Sequence, residues 1–272
     1  MNRRAIRAIV RKDLKVTMQN KGVVIPLLLV PLIMFIALPS LVGLMPLLGN
    51  IPDSDLAEIQ LLVSRMPPTL QAEFAGYTPL QLLVVMMIVY YLAPMYLIVP
   101  MMVASVIAAD SFAGEKERKT LEALLYTPTT DQELLLGKLL AAWLPAVGVA
   151  LVGFVCYSIV ANLVAGPIMG GIFFPTPMWL ILAFWVAPAI AGLGLVVTIL
   201  VSSRAQGFQD AYQMGALVVL PLLALMISQA TGVMFLSTGL VLLLGAAVWL
   251  LDGALLWWGG RWFRRTELFG RL

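Results

Sequence analysis

The sequence predicts an all-α membrane protein: six transmembrane helices, both termini on the cytoplasmic side, and a short amphipathic helix between spans 2 and 3. Three observations predict the membrane fold. Of the 272 residues, 61% are hydrophobic and 11% charged, against about 45–50% and about 25% in a soluble domain. The charge-free runs are long enough to cross a bilayer, which takes about 20 apolar residues per helix. The basic residues are gathered on one side of those runs. A water-soluble globule with a mean hydropathy of +0.99 would lack the polar surface to cover itself. The composition excludes a soluble enzyme, a disordered chain and a nucleic-acid-binding domain, so no nucleic-acid partner is expected.

The elements follow in order. Residues 1–22 are basic, and Ile6, Val10, Leu14 and Met18 recur every four residues beside Arg7, Arg11 and Lys15. That pattern predicts an amphipathic helix on the cytoplasmic membrane surface, as a lipid anchor or as an elbow ahead of span 1. The apolar run behind it exceeds the roughly 7–15 residues of a signal peptide, so cleavage is not expected. Span 1 is placed at 23–48 and span 2 at 80–109, with an external loop at 49–79 between them. In that loop 53–64 is amphipathic through Leu56, Ile59, Leu62 and Val63, and Pro67-Pro68 ends the pattern. Lys138 and Arg204 enclose 65 uncharged residues, enough for spans 3 (139–165) and 4 (178–201). Spans 5 and 6 are placed at 215–230 and 236–258. Together they make one transmembrane domain, 1–272. Pro31, Pro39, Pro94, Pro100, Pro145, Pro188 and Pro221 fall inside the spans, and each removes a backbone donor and favours a kink.

Orientation follows from the cations. Sixteen of the seventeen Lys and Arg residues fall at the N-terminus, in the segment 110–138, beside Arg204 or in the C-terminal tail, and only Arg65 falls on the other side. Cytoplasmic loops carry the excess of Lys and Arg, so both termini are expected inside.

The rare residues narrow the chemistry. There is no His, and Cys156 is the only Cys, lying in an apolar run as a small hydrophobe. No metal site, cofactor or catalytic set is expected. Gly137-Lys138 is not part of a phosphate-binding loop, because Gln132 and Leu139 stand where that motif needs Gly and Ser or Thr. If the protein uses ATP, a partner hydrolyses it. Asp252 is the one ionisable residue inside a span, which makes it a functional candidate. Its plainer reading is burial beside a polar neighbour, or snorkelling towards an edge nine residues away at Arg261.

The segment 110–138 carries the densest signal. It reads DSFAGEKERKTLEALLYTPTTDQELLLGK. Glu115 to Leu125 has a helical pattern, with Leu121, Leu124 and Leu125 at i, i+3 and i+4. Pro128 forbids its continuation. Thr130-Asp131-Gln132-Glu133 is a capping box opening the next helix. The three-leucine stripe is too small to build a core, so it must lie on lipid, on the bundle or on another protein.

The string D-x-F-A-G-E-x-E-x-x-T-L-E-x-L-L-x-T-P, followed by E-L-L-L-G-K, resembles the signature of ABC-2 type permeases, the membrane subunits of ATP-binding-cassette exporters. Six spans with both ends inside agree with that family, and Asp210-Ala211-Tyr212-Gln213 with Pro221 is a weaker echo in span 5. Lys119 departs from the Gly that many members carry. The resemblance implies a coupling helix at Glu115–Leu125 that docks on a separate ABC ATPase subunit. It assigns Gly114, Glu115, Glu117, Thr120, Leu121, Glu122, Leu124, Leu125 and Pro128 to the coupling site. The three leucines would be buried in the contact, while Glu115 and Glu117 would pair with the ATPase or hold the helix at its angle. It further implies a second permease subunit, the same or different, in the inner (cytoplasmic) membrane, and export of a hydrophobic or amphipathic substrate. A non-transport assembly or regulatory component with the same fold and ATPase stays open as the alternative.

Overall fold

A computed structural model describes residues 2–49, 51–118, 129–202, 205 and 207–262. The described residues are helices and connecting turns, without strands. Six helices are long and apolar enough to cross a membrane: Lys21–Pro46, Pro79–Glu117, Gln132–Met169, Pro177–Ser202, Phe208–Ala230 and Thr238–Trp258. These are spans 1 to 6. An N-terminal helix, Arg3–Gln19, precedes them.

Spans 2 and 4 form the centre. Their most apolar stretches are 78% and 61% buried, against 17%, 22% and 17% in spans 1, 5 and 6, which face outward. Small residues allow the close approach that membrane helices need in place of a hydrophobic drive. Ala93, Ala104 and Ala108 of span 2 and Ala187 and Ala191 of span 4 are fully buried. At Gly194 an added Cβ would stand 2.8 Å from the Met101 carbonyl oxygen, so only glycine permits the observed spacing.

Four π turns interrupt the spans among the described residues: Ile33–Ala37, Met86–Tyr91, Asp110–Gly114 and Leu182–Val186. Three of them lie just before a proline, Pro39, Pro94 and Pro188. A helical proline has no N–H and its ring crowds the carbonyl four residues back. Those carbonyls belong to Phe35, Tyr90 and Phe184, each inside a π turn. Widening the helix there relieves the crowding, so these prolines act through local widening of the helix.

Side-chain donors from neighbouring spans cover the π-turn carbonyls. The Tyr157 hydroxyl donates to Ile88 O at 2.6 Å, and Trp179 Nε1 donates to Val89 O at 2.8 Å. Trp249 Nε1 donates to Trp185 O at 3.2 Å. In hydrocarbon, backbone polar groups have no water to turn to. Tyr157 and Trp179 also stack, with ring centroids 4.6 Å apart, and Tyr96 and Phe174 meet the Trp179 ring at 5.2 and 4.9 Å. The Tyr96 hydroxyl closes the hub by donating to Ala150 O at 2.9 Å. This aromatic hub fixes spans 2, 3 and 4 to one another.

The molecule has two distinct ends. The N-terminal helix, the close of span 2 and the starts of spans 3 and 5 meet at the elbow end. At the loop end lie the helices Asp53–Ser64 and Pro68–Glu73 with the turns after spans 3 and 5. Asn162 organises the turn after span 3, accepting from the Phe173 and Phe174 amides at 3.1 and 3.2 Å and donating to Phe174 O. Gly170 caps span 3 there with φ +76°, a left-handed conformation that favours glycine.

Several expected boundaries differ. Span 2 continues from 109 to Glu117, span 3 starts at Asp131 in place of 139, and span 5 starts at Phe208 in place of 215. The polar or charged residues at these ends are still helical, because a helix need not stop where the hydrocarbon does. Pro68 starts a helix, while the preceding one ends at Ser64.

Replacing Tyr157 by Phe should leave the Ile88 carbonyl unpaired and cost about 1 kcal/mol. Trp179→Ala should cost about 3–5 kcal/mol by opening the hub. Reversible unfolding in bicelles, read as the free-energy difference from wild type, measures both.

Candidate functional site

The motif segment leaves span 2 through the π turn Asp110–Gly114 and the short helical turn Glu115–Glu117. Its first residues are held by charge. Lys138, from the start of span 3, is 1% exposed and donates to Ser111 O at 2.5 Å, Ser111 Oγ at 2.9 Å and Glu115 Oε2 at 2.6 Å. Its ammonium also lies 3.7 Å from Asp13 Oδ2 and 5.0 Å from the centre of the Phe112 ring. A lysine has three donors, and here all of them have partners. That is the condition under which a buried cation is tolerable.

The N-terminal helix supplies the other side. Asp13 accepts from the Ser111 hydroxyl at 2.8 Å, and Lys12 pairs with both Asp13, at 3.1 Å, and Glu115. Burial alone would depress the Lys12 amine. The hydrogen bond to Glu115 and the charge of Asp13 outweigh it and hold the amine above its ordinary value of 10.5. A raised lysine pKa stabilises the fold fully below the unfolded value and stops doing so only as pH climbs through the folded one. The Lys12 bridge is therefore constant over the physiological range.

Asp110 joins the cluster to both neighbours. It accepts from Arg118 Nη1 at 3.0 Å and from Asn20 Nδ2 at 3.3 Å, while the Asn20 side chain caps span 1 by accepting from the Gly22 amide. Three anions (Asp13, Asp110, Glu115) thus meet three cations (Lys12, Arg118, Lys138). Close packing completes the joint. An added Cβ at Gly137 would stand 2.8 Å from Ile9 Cγ2, so this glycine seats the N-terminal helix on span 3. The Asn2 amide donates to Glu133 Oε1 at 2.5 Å, and the expected capping box of Thr130 and Glu133 forms.

The N-terminal helix meets the bundle with a face other than its apolar stripe. The bundle buries Ile9, Asp13 and Thr17, while Ile6, Val10 and Leu14 are half-buried and Met18 is 67% exposed. Asp13 faces inward because Ser111 and Lys138 are there to receive it. The apolar stripe beside it is only partly covered by the bundle.

The expected site residues divide into three groups. Gly114 is buried, and a Cβ there would meet Asp110 Oδ1 at 3.1 Å and the Arg118 guanidinium at 3.2 Å. Glu115 is buried in the cluster, its oxygens taken by Lys12 and Lys138, so of its two expected roles the holding one matches this placement. Glu117 is exposed and reaches the start of span 5, accepting from the Phe208 amide at 3.0 Å. That contact needs Gly207, where a Cβ would lie 2.7 Å from Glu117 Oε2. Thr120, Leu121, Glu122, Leu124, Leu125 and Pro128 lie outside the described residues. Asp252 stands apart, buried on span 6 against Gly192 of span 4, and neither carboxylate oxygen finds a hydrogen-bond partner among the described residues.

Sequence reasoning missed Asp13, Lys12, Asn20, Ser111 and Lys138 as one cluster. A weak signal existed in the acid of a basic amphipathic helix, four residues after Ile9 and four before Thr17.

No group of His, Cys, Asp or Glu among the described residues could hold a metal ion. The ion cluster ties the N-terminal helix, the end of span 2 and the start of span 3 together. What it can do is carry force: a displacement of the segment after Gly114 reaches the N-terminal helix and spans 2, 3 and 5 together.

Lys138→Met should leave Glu115 and Asp13 uncompensated and lower stability by about 3–5 kcal/mol. It should also expose Arg3–Gln19 to trypsin in nanodiscs. Adding Asp13→Asn and Glu115→Gln should restore part of the loss, read by the same unfolding and digestion assays.

A family model described as "ABC-2 family transporter protein" matches residues 7–250. No curated protein and no solved structure matches the chain.

Proposed function

The chain belongs to the ABC-2 transporter family, and from that premise we propose that it is the permease subunit of an ABC exporter in the cytoplasmic membrane. The elbow end faces the cytoplasm. There the segment Glu115–Leu125 docks on a separate ABC ATPase, with Leu121, Leu124 and Leu125 in the contact. A second permease subunit completes the transporter. The chain binds no nucleotide itself, having no phosphate-binding loop, and the apolar spans favour a hydrophobic or amphipathic cargo.

The observation that carries the reading is the buried cluster around Lys138. A docking segment can pass ATPase closure to the spans only if its base is rigid, and a fully partnered buried ion network supplies that rigidity. Closure of the ATPase subunits displaces the segment. Lys138 and Glu115 pass the displacement to the N-terminal helix and span 3, the continuous helix passes it to span 2, and Glu117 passes it to span 5. The outward faces of spans 1, 5 and 6 offer surface for the second subunit and for lipid.

Two experiments test the reading. Leu124→Asp puts a charge in the docking contact. A tenfold loss of affinity takes only about 1.4 kcal/mol, so recovery of the complex with the ATPase should fall by tenfold or more while membrane insertion persists. Recovery at the wild-type yield would refute docking. Glu117→Ala should keep the complex intact and lower transport into inverted vesicles severalfold, because the link to span 5 is lost. ATPase activity without vectorial transport of any cargo would favour the assembly or regulatory alternative.

Orientation has its own check. Cysteines introduced at positions 60 and 116 should react differently with an impermeant maleimide in intact cells: position 60 labelled, position 116 protected. The reverse pattern would turn the molecule over.

A further inference from the structure

The loop end holds a cavity of about 290 Å³. Its walls come from the outer helix Pro68–Glu73 and the residues just after it, from Val85, Val89 and Tyr90 about two to three turns into span 2, from the turn before span 4 and its first residues, and from the start of span 6. This volume is near the lower bound of about 300 Å³ for small-molecule sites, so it suits a compact ligand.

The lining has a definite chemistry. Phe74, Tyr77, Tyr90 and Phe173 contribute aromatic rings, and Phe74 lies edge-on to Tyr90 at 5.9 Å and tilted to Tyr77 at 6.0 Å. Glu73 is the only charged residue in the wall; it is solvent-exposed, and among the described residues it makes no salt bridge. The Thr176 hydroxyl oxygen is fully buried and has no hydrogen-bond partner. Aromatic faces attract a cation through their quadrupole, and a carboxylate supplies the counter-charge. The same wall repels an anion. A neutral ligand would leave the Glu73 charge unused.

We propose that this cavity binds a small organic cation, an alkyl or aryl ammonium, with Glu73 as its counter-ion and the rings of Phe74, Tyr77, Tyr90 and Phe173 around its apolar part. The role of this cation as exported cargo rests on the permease reading; its binding does not. The site also gives the loop 49–78 a task, since its second helix carries Glu73 to the cavity. Because spans 2, 4 and 6 all contribute walls, a relative movement of these spans would open or close the site.

The test uses the purified full chain in zwitterionic lipid nanodiscs, without ATPase. The probe is radiolabelled phenyltrimethylammonium, and the competitor is tert-butylbenzene, its uncharged isostere, at equal free concentration. Saturable binding that tert-butylbenzene does not displace is expected. Glu73→Gln should weaken it by about tenfold, as loss of one charge-assisted contact does. Glu73→Asp should retain part of the affinity, and Phe173→Leu should weaken binding by a smaller factor. Absence of saturable binding, equal displacement by the uncharged isostere, or unchanged affinity in Glu73→Gln would each overturn the proposal. The isostere comparison is made on the wild-type chain, so it decides the matter even if a variant fails to fold. Failure here leaves recovery of the ATPase untouched. Loss of the docking assignment, conversely, leaves cation binding standing and removes only its meaning as transport.

Discussion

Lys138 carries its charge at a position with almost no access to water. An unpaired ammonium there would cost several kcal/mol even after relaxation. The surrounding structure is arranged by that demand. Ser111 offers both its carbonyl and its hydroxyl, Glu115 offers a carboxylate, and Asp13 comes from a helix more than a hundred residues away in sequence. Meeting the demand fixes the rotation of the N-terminal helix, because only one face can bring Asp13 in. It fixes the start of the motif segment as well, since Ser111 and Glu115 must lie on the same side. Gly137, next to Lys138, then lets Ile9 close the remaining gap. One buried cation therefore joins three separate stretches of chain.

The second constraint is the absence of water within the spans. Helices with prolines at 39, 94 and 188 must lose hydrogen bonds, and each accommodates the loss with a π turn. The price is a set of carbonyls off the regular ladder. Tyr157, Trp179 and Trp249 answer with indole and phenol donors from neighbouring helices. The rings of Tyr157 and Trp179 also pack into the hub, so they both satisfy the backbone and bind spans 2, 3 and 4 together, while Trp249 joins span 6 to span 4. Aromatic residues suit this because each brings a large apolar body and a single polar tip.

How much of this was legible in the sequence follows from range. The six spans were, since each is a local run of apolar residues. The amphipathic turn 53–64 was too, and Ile59 is buried there. The start of the helix running into span 3 was legible through the capping box at Thr130 and Glu133, but the end of the span 2 helix at Glu117 and the start of span 5 at Phe208 were not, because both are helical beyond the charge-free stretch that marks a span. The Lys138 cluster was not legible either. In a count of basic residues Lys138 reads as a topology signal, and nothing local distinguishes a lysine at the membrane surface from one buried among Asp13, Ser111 and Glu115. The face of the N-terminal helix that the bundle buries was not legible for a related reason: Ile9, Asp13 and Thr17 are chosen by long-range partners, not by the apolar stripe. Gly114, Glu115 and Glu117 were found through resemblance, while the contact partners that explain them are long-range. The lone position of Asp252 was visible, but its place against Gly192 was not.

The two constraints together limit how such a molecule can change shape. The motif segment is anchored where it leaves span 2, with Arg118 on Asp110, and again where span 3 begins, with Glu133 on Asn2. A push on the segment therefore cannot be absorbed at its base. It passes to spans 2 and 3, which the aromatic hub locks to span 4, and through Glu117 to span 5. A hub tied by ring stacking and three interhelical hydrogen bonds yields at most as a body, because tightly packed elements are bistable and do not deform continuously. Any opening must then occur at the edge of the hub. At the loop end that edge is where spans 2 and 4 meet the start of span 6 and the outer helix, the place where the cavity with Glu73 lies. In the permease reading, the rigidity at one end is what makes movement at the other end specific.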